Sequence, residues 1–426
     1  MTKAASAAGS APQSGLFAAL RHRNYAIFWV GALISNTGTW LGNLTVPYVL
    51  FQATGSATWV GIAAVAQFGP VMILSPVGGL LADSVDRRKL LLWTQLTLFI
   101  VAALMWLQWL SGLHEPWLLV LLLTLAGAAN GVNNPTWQSL VNDLVPRTEV
   151  YSAVTLNSLQ FNLGRAIGPA VAGVLLASLG ATWAFFFNAL SFAGVLVALL
   201  FVRAYRSIKK PAKSLGFAVQ WKQTLGYLSR SDILIACILL SCVVGFAANP
   251  IFNLTVVFAE TVYQTDPLGF GVLAAALGVG AVLFVVGGLF TKMKSVNLAR
   301  QLVIGLVVLA IGHALYAWIG TFAMGIVAGL MIGAAFLAVT SILNSLIQLT
   351  APDTLRGKIL AARHMVFSSS IGLGGFISGY LSDIWGVQWA TFVLGVILLI
   401  TSMVLIASKK MRGRFELNSS PERREP

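Results

Sequence analysis

The chain has 426 residues, of which 58% are hydrophobic and only 9% charged, and its mean hydropathy is +0.84. Soluble domains carry roughly 25% charged residues, so a water-soluble globule is excluded, and so much apolar content excludes disorder. A net charge of +14 in a soluble protein would point to nucleic acid. Here the Lys and Arg residues lie in short loops between apolar runs, so no nucleic-acid partner is expected and the chain reads as a polytopic protein solvated by lipid.

Residues 1–20 hold a lone Lys3 in an Ala/Ser/Gly stretch without a proper apolar core. They read as a disordered cytoplasmic tail rather than a cleavable leader. Twelve runs long enough to span a bilayer follow, at roughly 25–51, 59–82, 89–111, 116–140, 150–178, 181–202, 232–260, 268–291, 297–319, 321–346, 357–383 and 387–407. Lys and Arg occur before span 1, in every second loop thereafter and after span 12, whereas the loops at 52–58, 112–115, 179–180, 261–267, 320 and 384–386 have none. This alternation places both termini in the cytoplasm. The expected fold is an all-α membrane protein of twelve transmembrane helices in two pseudo-symmetric six-helix bundles, 21–202 and 232–408. A basic cytoplasmic linker (203–231) joins them, and a cytoplasmic tail (409–426) ends the chain. Within the linker, Ser214–Tyr227 reads as either a solvated connection, which is preferred, or a short amphipathic helix. Cys237 and Cys242 lie five residues apart in one apolar run, on different helix faces, which disfavours a disulfide or a metal site.

The halves repeat. At an offset of 206 residues, Gly127-Ala128-Ala129 falls on Gly333-Ala334-Ala335, and Trp183-Ala184 with Phe186 falls on Trp389-Ala390 with Phe392. Parallel repeats about an axis along the membrane normal leave a seam near the bilayer midplane, and rocking about that seam makes a carrier. G-x-S-x-G, H-E-x-x-H and Walker A motifs are absent from the sequence, so no enzyme, cofactor, metal or ATP dependence is expected. A small-molecule substrate, the lipid bilayer and protons are the expected partners, and a monomer the expected state.

The loop between spans 2 and 3 reads Gly79-Leu80-Leu81-Ala82-Asp83-Ser84-Val85-Asp86-Arg87-Arg88-Lys89. Gly78 and Gly79 permit close helix contact, and Asp83 can face the positive N-terminus of another helix, such as span 11 near Gly357. Such a bond would lock the halves in one state and release them in the other; the plainer reading is a basic loop that only orients the chain. The loop, with Asp83, Asp86, Arg87 and Arg88, resembles the corresponding loop of the major facilitator superfamily. The stretch Asn24 to Gln95, including Ser35-Asn36-Thr37-Gly38-Thr39-Trp40, is similar to the branch of enterobactin exporters and macrolide-efflux carriers. That resemblance implies twelve helices, alternating access and, usually, export of small organic molecules, drug-like or siderophore-like, in exchange for protons across a bacterial inner membrane. Ser84 and Asp86 depart from the family pattern, and Lys292 stands where the second half would carry an aspartate, so the expected gate is one-sided. Span 5 carries Gly164, Gly168, Pro169 and Gly173 in an arrangement similar to the antiporter motif of superfamily exporters, with Ala172 replacing one glycine. These residues serve as a flexing point or as a smooth packing face.

An ionisable residue at membrane depth is a functional candidate. Arg165 lies about 22 Å into span 5 at 1.5 Å per residue and is a candidate for binding an anionic or carbonyl-rich substrate, or else a structural group. Amides recur at matching depths: Asn36 and Asn43 (with Trp40) in span 1, Asn130, Asn133 and Asn134 in span 4, Asn157, Gln160 and Asn162 in span 5, Asn249 and Asn253 in span 7, and Asn344 in span 10. Unpaired amides are costly in lipid, so these should face inward, each as substrate contact or as helix–helix glue. All 13 acidic residues fall in loops, tails or span ends, which leaves His313 and His364 as candidates for proton coupling. An importer or facilitator of a metabolite would use the same fold. A non-transporting receptor or scaffold would need neither the inward amides nor the loop.

Overall fold

The computed structural model describes residues 15, 17–202, 217–290, 297–352 and 355–407, the side chains of 217–220 and 288–290 excepted. A 3-10 turn (Ala18–Arg21) leads into α1 (Arg23–Thr54), α2 (Ala57–Ser84), α3 (Arg87–Leu110) and α4 (Pro116–Asp143). A second 3-10 turn (Arg147–Glu149) precedes α5 (Val150–Ser178) and α6 (Ala181–Phe201). Then come α7 (Phe217–Leu228), α8 (Asp232–Ala247), α9 (Ile251–Thr261), α10 (Pro267–Phe290), α11 (Leu298–Trp318), α12 (Phe322–Thr350), α13 (Arg356–Trp385) and α14 (Val387–Ala407). Helices satisfy every backbone group within the segment, which lipid requires. Among the described residues ten segments, with α8 and α9 counted as one, are long and apolar enough to cross a membrane. α1 and α13, at 32 and 30 residues, have the length but a more polar composition.

Three departures from the sequence reading concern the ends and the middle. Residues 17–20, which the expected disordered tail includes, are held in place, because Ala18 and Ala19 are buried and Ala19 N donates to Ser152 Oγ at 3.1 Å. Part of the linker is the helix α7, where a plain solvated connection was preferred; its residues 203–216, like most of the two tails, lie outside the described residues. The seventh span is broken. α8 ends at Ala247 and α9 starts at Ile251, with Pro250, which has no N–H to donate, at the break. By contrast α1, α2, α4 and α5 run through Pro47, Pro70, Pro135 and Pro169 without interruption.

The packing is pseudo-symmetric. α1 pairs with α5, α2 with α4 and α3 with α6 in the first half; α8 pairs with α13, α10 with α12 and α11 with α14 in the second. The halves meet through two crossings, α2 on α13 and α5 on α10. Both crossings lie toward the face opposite the Lys- and Arg-bearing loops. There Gly61 approaches Gly375 so closely that a Cβ on Gly61 would stand 2.6 Å from the Gly375 carbonyl oxygen. Gly173 and Gly271 are in mutual contact, a Cβ on Gly173 standing 2.6 Å from Gly271 Cα. Only glycine allows such approaches between backbones.

Candidate functional site

Between the halves lies a cavity of about 560 Å³. Both halves line it with polar and apolar groups. The first half contributes Asn36, Asn43, Gln67, Asn130, Asn134 and Arg165 together with Trp40 and Phe161, and the second contributes Asn249, Asn253, His364 and Ser368 together with Phe252, Phe336 and Phe367. Lining residues such as Gln138, Asn157, Asn162 and His364 lie on the turns of α4, α5 and α13 nearest the basic loops, so the cavity runs from mid-span toward the basic face.

The opposite face is closed by bonds between the halves. The Asp383 carboxylate, near the end of α13, accepts from Ser56 Oγ (2.5 Å), Ala57 N (2.7 Å), Thr58 N (3.0 Å) and Thr58 Oγ1 (2.6 Å). It thereby caps the N-terminus of α2, where orphan N–H groups favour an anion. Gln52 donates to Glu260 alongside.

The loop after α2 works within one half. Arg87 donates to Ala82 O from Nε (2.8 Å), to Asp143 Oδ2 from Nη1 (2.6 Å) and to Asp83 Oδ1 from Nη2 (3.3 Å). Arg88 donates to the Leu199 and Leu200 carbonyls at 2.6 and 2.7 Å, closing the C-terminus of α6. Asp86 caps α3 by accepting from Lys89 N. The two arginines thus tie the ends of α2, α4 and α6 together, a cation at each helix C-terminus. Asp83 does not reach α13 as expected. Its side chain is 71% exposed, because the halves are apart at this face. Gly78 rather than Gly79 makes the close contact, against Gly131 and Val132, while Gly79 faces open space. Lys292 lies outside the described residues.

On α5 the glycines are closely packed against neighbouring helices. Gly164 and Gly168 lie against Asn36, Thr37 and Trp40 of α1, and Gly173 crosses the interface to Gly271. Pro169 lines the cavity within an unbroken helix.

Arg165 is buried, with 7% exposure, and lines the cavity. Its Cζ stands 5.4 Å from the Trp40 ring centroid, 4.3 Å from Phe252 and 5.2 Å from Phe336, an aromatic cage drawn from both halves. Each such contact is worth about 0.5–2 kcal/mol, against a cost of several kcal/mol for burying an unpaired charge. Nε has no hydrogen-bond partner, and no carboxylate lines the cavity among the described residues.

The predicted amides divide into two groups. Asn43 accepts from Gln67 (2.8 Å), Asn157 from Trp137 (2.9 Å), and Gln160 donates to Ala32 O (2.7 Å), so these three fasten helices as well as lining the cavity. Asn36, Asn130, Asn134, Asn249 and Asn253 face the cavity; Asn249 does so from the break between α8 and α9. Asn344 does not belong to the lining, and neither does His313. His313 is fully buried with Nδ1 bonded to Leu309 O at 2.8 Å, packed on Gly395 of α14. His364 does line the cavity, 3.4 Å from Ser368 Oγ.

Sequence reasoning passed over several groups. Arg363 of α13 donates to Ser241 Oγ (2.9 Å) and Thr340 O (3.3 Å) and stands over Phe367. Phe367, Ser368 and Ile371 line the cavity beside the predicted His364; their i+3, i+4 and i+7 spacing from it is a one-face helical pattern that could have placed them.

Two pseudo-symmetric helical bundles enclosing a cavity between them define a membrane transporter of the major facilitator type. The model of the family described as transmembrane secretion effector matches residues 14–426, and the chain belongs to that family of major facilitator superfamily transporters; it is not an enzyme. It is similar to the multidrug efflux pump Tap of Mycolicibacterium fortuitum, 23% identical over 92% of this chain and 96% of that protein. The enterobactin exporter EntS of Shigella flexneri is 26% identical over 92% of this chain and 94% of its own length. Among solved structures, an inward-facing bacterial homologue of the human lysosomal transporter Spinster superposes with a TM-score of 0.72 at 14% identity, covering 94% of this chain and 99% of that one. That likeness concerns the fold.

Proposed function

We propose that the protein is a secondary exporter of small organic molecules in a bacterial inner membrane, both termini cytoplasmic, working by alternating access. The single observation that carries this reading is the cavity of about 560 Å³ shared by both halves and reaching toward the basic face. The basic loops mark the cytoplasmic side, so the cavity is loaded from inside. The similarity to an efflux pump and to an exporter favours the outward direction. For energy we assign proton coupling to His364, the titratable side chain of the lining apart from Arg165, rather than to His313. The test is accumulation of a dye panel in an efflux-deficient bacterial strain with and without the protein, followed by flux in inverted membrane vesicles. Lower accumulation, and uptake into inverted vesicles, is expected. Higher accumulation would make it an importer.

A further inference from the structure

We infer that the cavity selects organic anions, an aryl carboxylate being the simplest member of the class, with Arg165 as the anchor for the anionic group. The inference deepens the export reading by naming its substrate class. Arg165 is the one group in the lining with a fixed charge among the described residues, and it is buried at mid-span with Nε unpartnered. A guanidinium offers five donors in a planar fork that matches a carboxylate. The aromatic rings around it satisfy its charge in part but accept none of its hydrogen bonds in the manner of an oxyanion. Among the described residues no carboxylate lines the cavity to repel an anion or to welcome a cation.

The remaining walls suit the rest of such a molecule. Asn36, Asn249 and Asn253 present neutral amides, which donate to an anion without adding charge. Phe252 lies 5.4 Å from Phe336 at 61°, and Phe336 lies 6.3 Å from Phe367 at 35°, so ring edges and faces together give an apolar wall on the second half. Trp40 and Phe161, 5.8 Å apart and edge to face, add apolar surface on the first. An aryl group held against these edges and faces has its carboxylate beside Arg165, whose guanidinium lies against Trp40, Phe252 and Phe336.

The test compares two probes of one shape and opposite charge, 2-naphthoate and 2-naphthylmethylammonium, by isothermal titration against the full-length protein in lipid nanodiscs. The wild type should bind naphthoate at least tenfold more tightly. Arg165→Gln should abolish that preference, Arg165→Lys should keep part of it, and Phe252→Ala should weaken both probes alike. Equal binding of the two probes by the wild type, or an undiminished preference in Arg165→Gln, overturns the inference. The wild-type comparison needs no variant, so a misfolded Arg165→Gln protein leaves the inference exposed to refutation. Naphthoate bound with preference but not moved in inverted vesicles would uphold the anion site and sink the export reading. Outward movement of cationic dyes with no preference for naphthoate would do the reverse.

Discussion

The carboxylate of Asp383 and the backbone amide of Thr58 are 3.0 Å apart although 325 residues separate them, so the last turn of α13 in one half caps the first turn of α2 in the other. An N-cap contributes about 1 kcal/mol. Placed between halves rather than within a helix, it stabilises one arrangement of the two bundles and not the other.

Asp383→Ala should therefore loosen the closed face and raise the population opened on that side roughly fivefold, the equivalent of about 1 kcal/mol. Cysteine placed at Leu44, which is buried deep in the cavity wall, reports the change. In a background lacking Cys237 and Cys242, a membrane-impermeant maleimide added outside should label it faster in the variant. Unchanged labelling would mean that the cap does not bias the halves.

Gly173→Val should be more severe. A side chain there meets Gly271 Cα at 2.6 Å, and backbone cannot yield as a flexible side chain does. The α5–α10 crossing is then held apart. Flux should fall at least tenfold, with Gly173→Ala intermediate, while the amount of protein in the membrane stays near normal.

Arg87→Ala should act on stability rather than selectivity. It strips a partner from Asp143 and leaves the α2 carbonyl of Ala82 unbonded, at a cost of about 2–3 kcal/mol for a charged hydrogen bond in a half-buried site. A lower melting temperature in detergent, with probe affinity unchanged, is the expected result.

The two histidines should separate cleanly. Substituting His364 by Gln should flatten the pH dependence of flux, because the ring faces the cavity. Substituting His313 by Gln should lower stability and leave that dependence intact, because it is fully buried beside α14. A pH profile unaltered by His364→Gln would remove histidine from the coupling step.

Much of this arrangement was legible in the sequence, for local reasons. The order of helices, the repeat and the inward placement of Asn36, Asn130, Asn249 and Asn253 follow from the cost of polar groups in lipid. Arg165 stood out because a charge at mid-span is rare. What was not legible depends on partners distant in the chain or on conformation. Asp383 read as an edge residue because nothing near it in sequence announces Ser56 and Thr58. Asp83 is exposed and contacts Arg87 of its own half, because which helix ends meet at a face depends on the placement of the halves. Arg363, seven residues into α13, drew no attention, because its partners Ser241 and Thr340 are distant in the chain. Phe336 and Phe367 were hidden among 45 aromatic residues, 24 Phe, 13 Trp and 8 Tyr, most of which face neighbours or lipid.

Both bundles bring amides and aromatic rings to the cavity, Asn36 and Trp40 from one and Asn253 and Phe252 from the other, and this bears on how cargo would leave under the proposed alternating access. Tilting of the bundles would shear the two surfaces past one another, and a passenger held by both would lose its grip on at least one. Unloading would then follow from the motion itself, without a separate trigger, and a molecule that clings to only one surface would ride back undelivered.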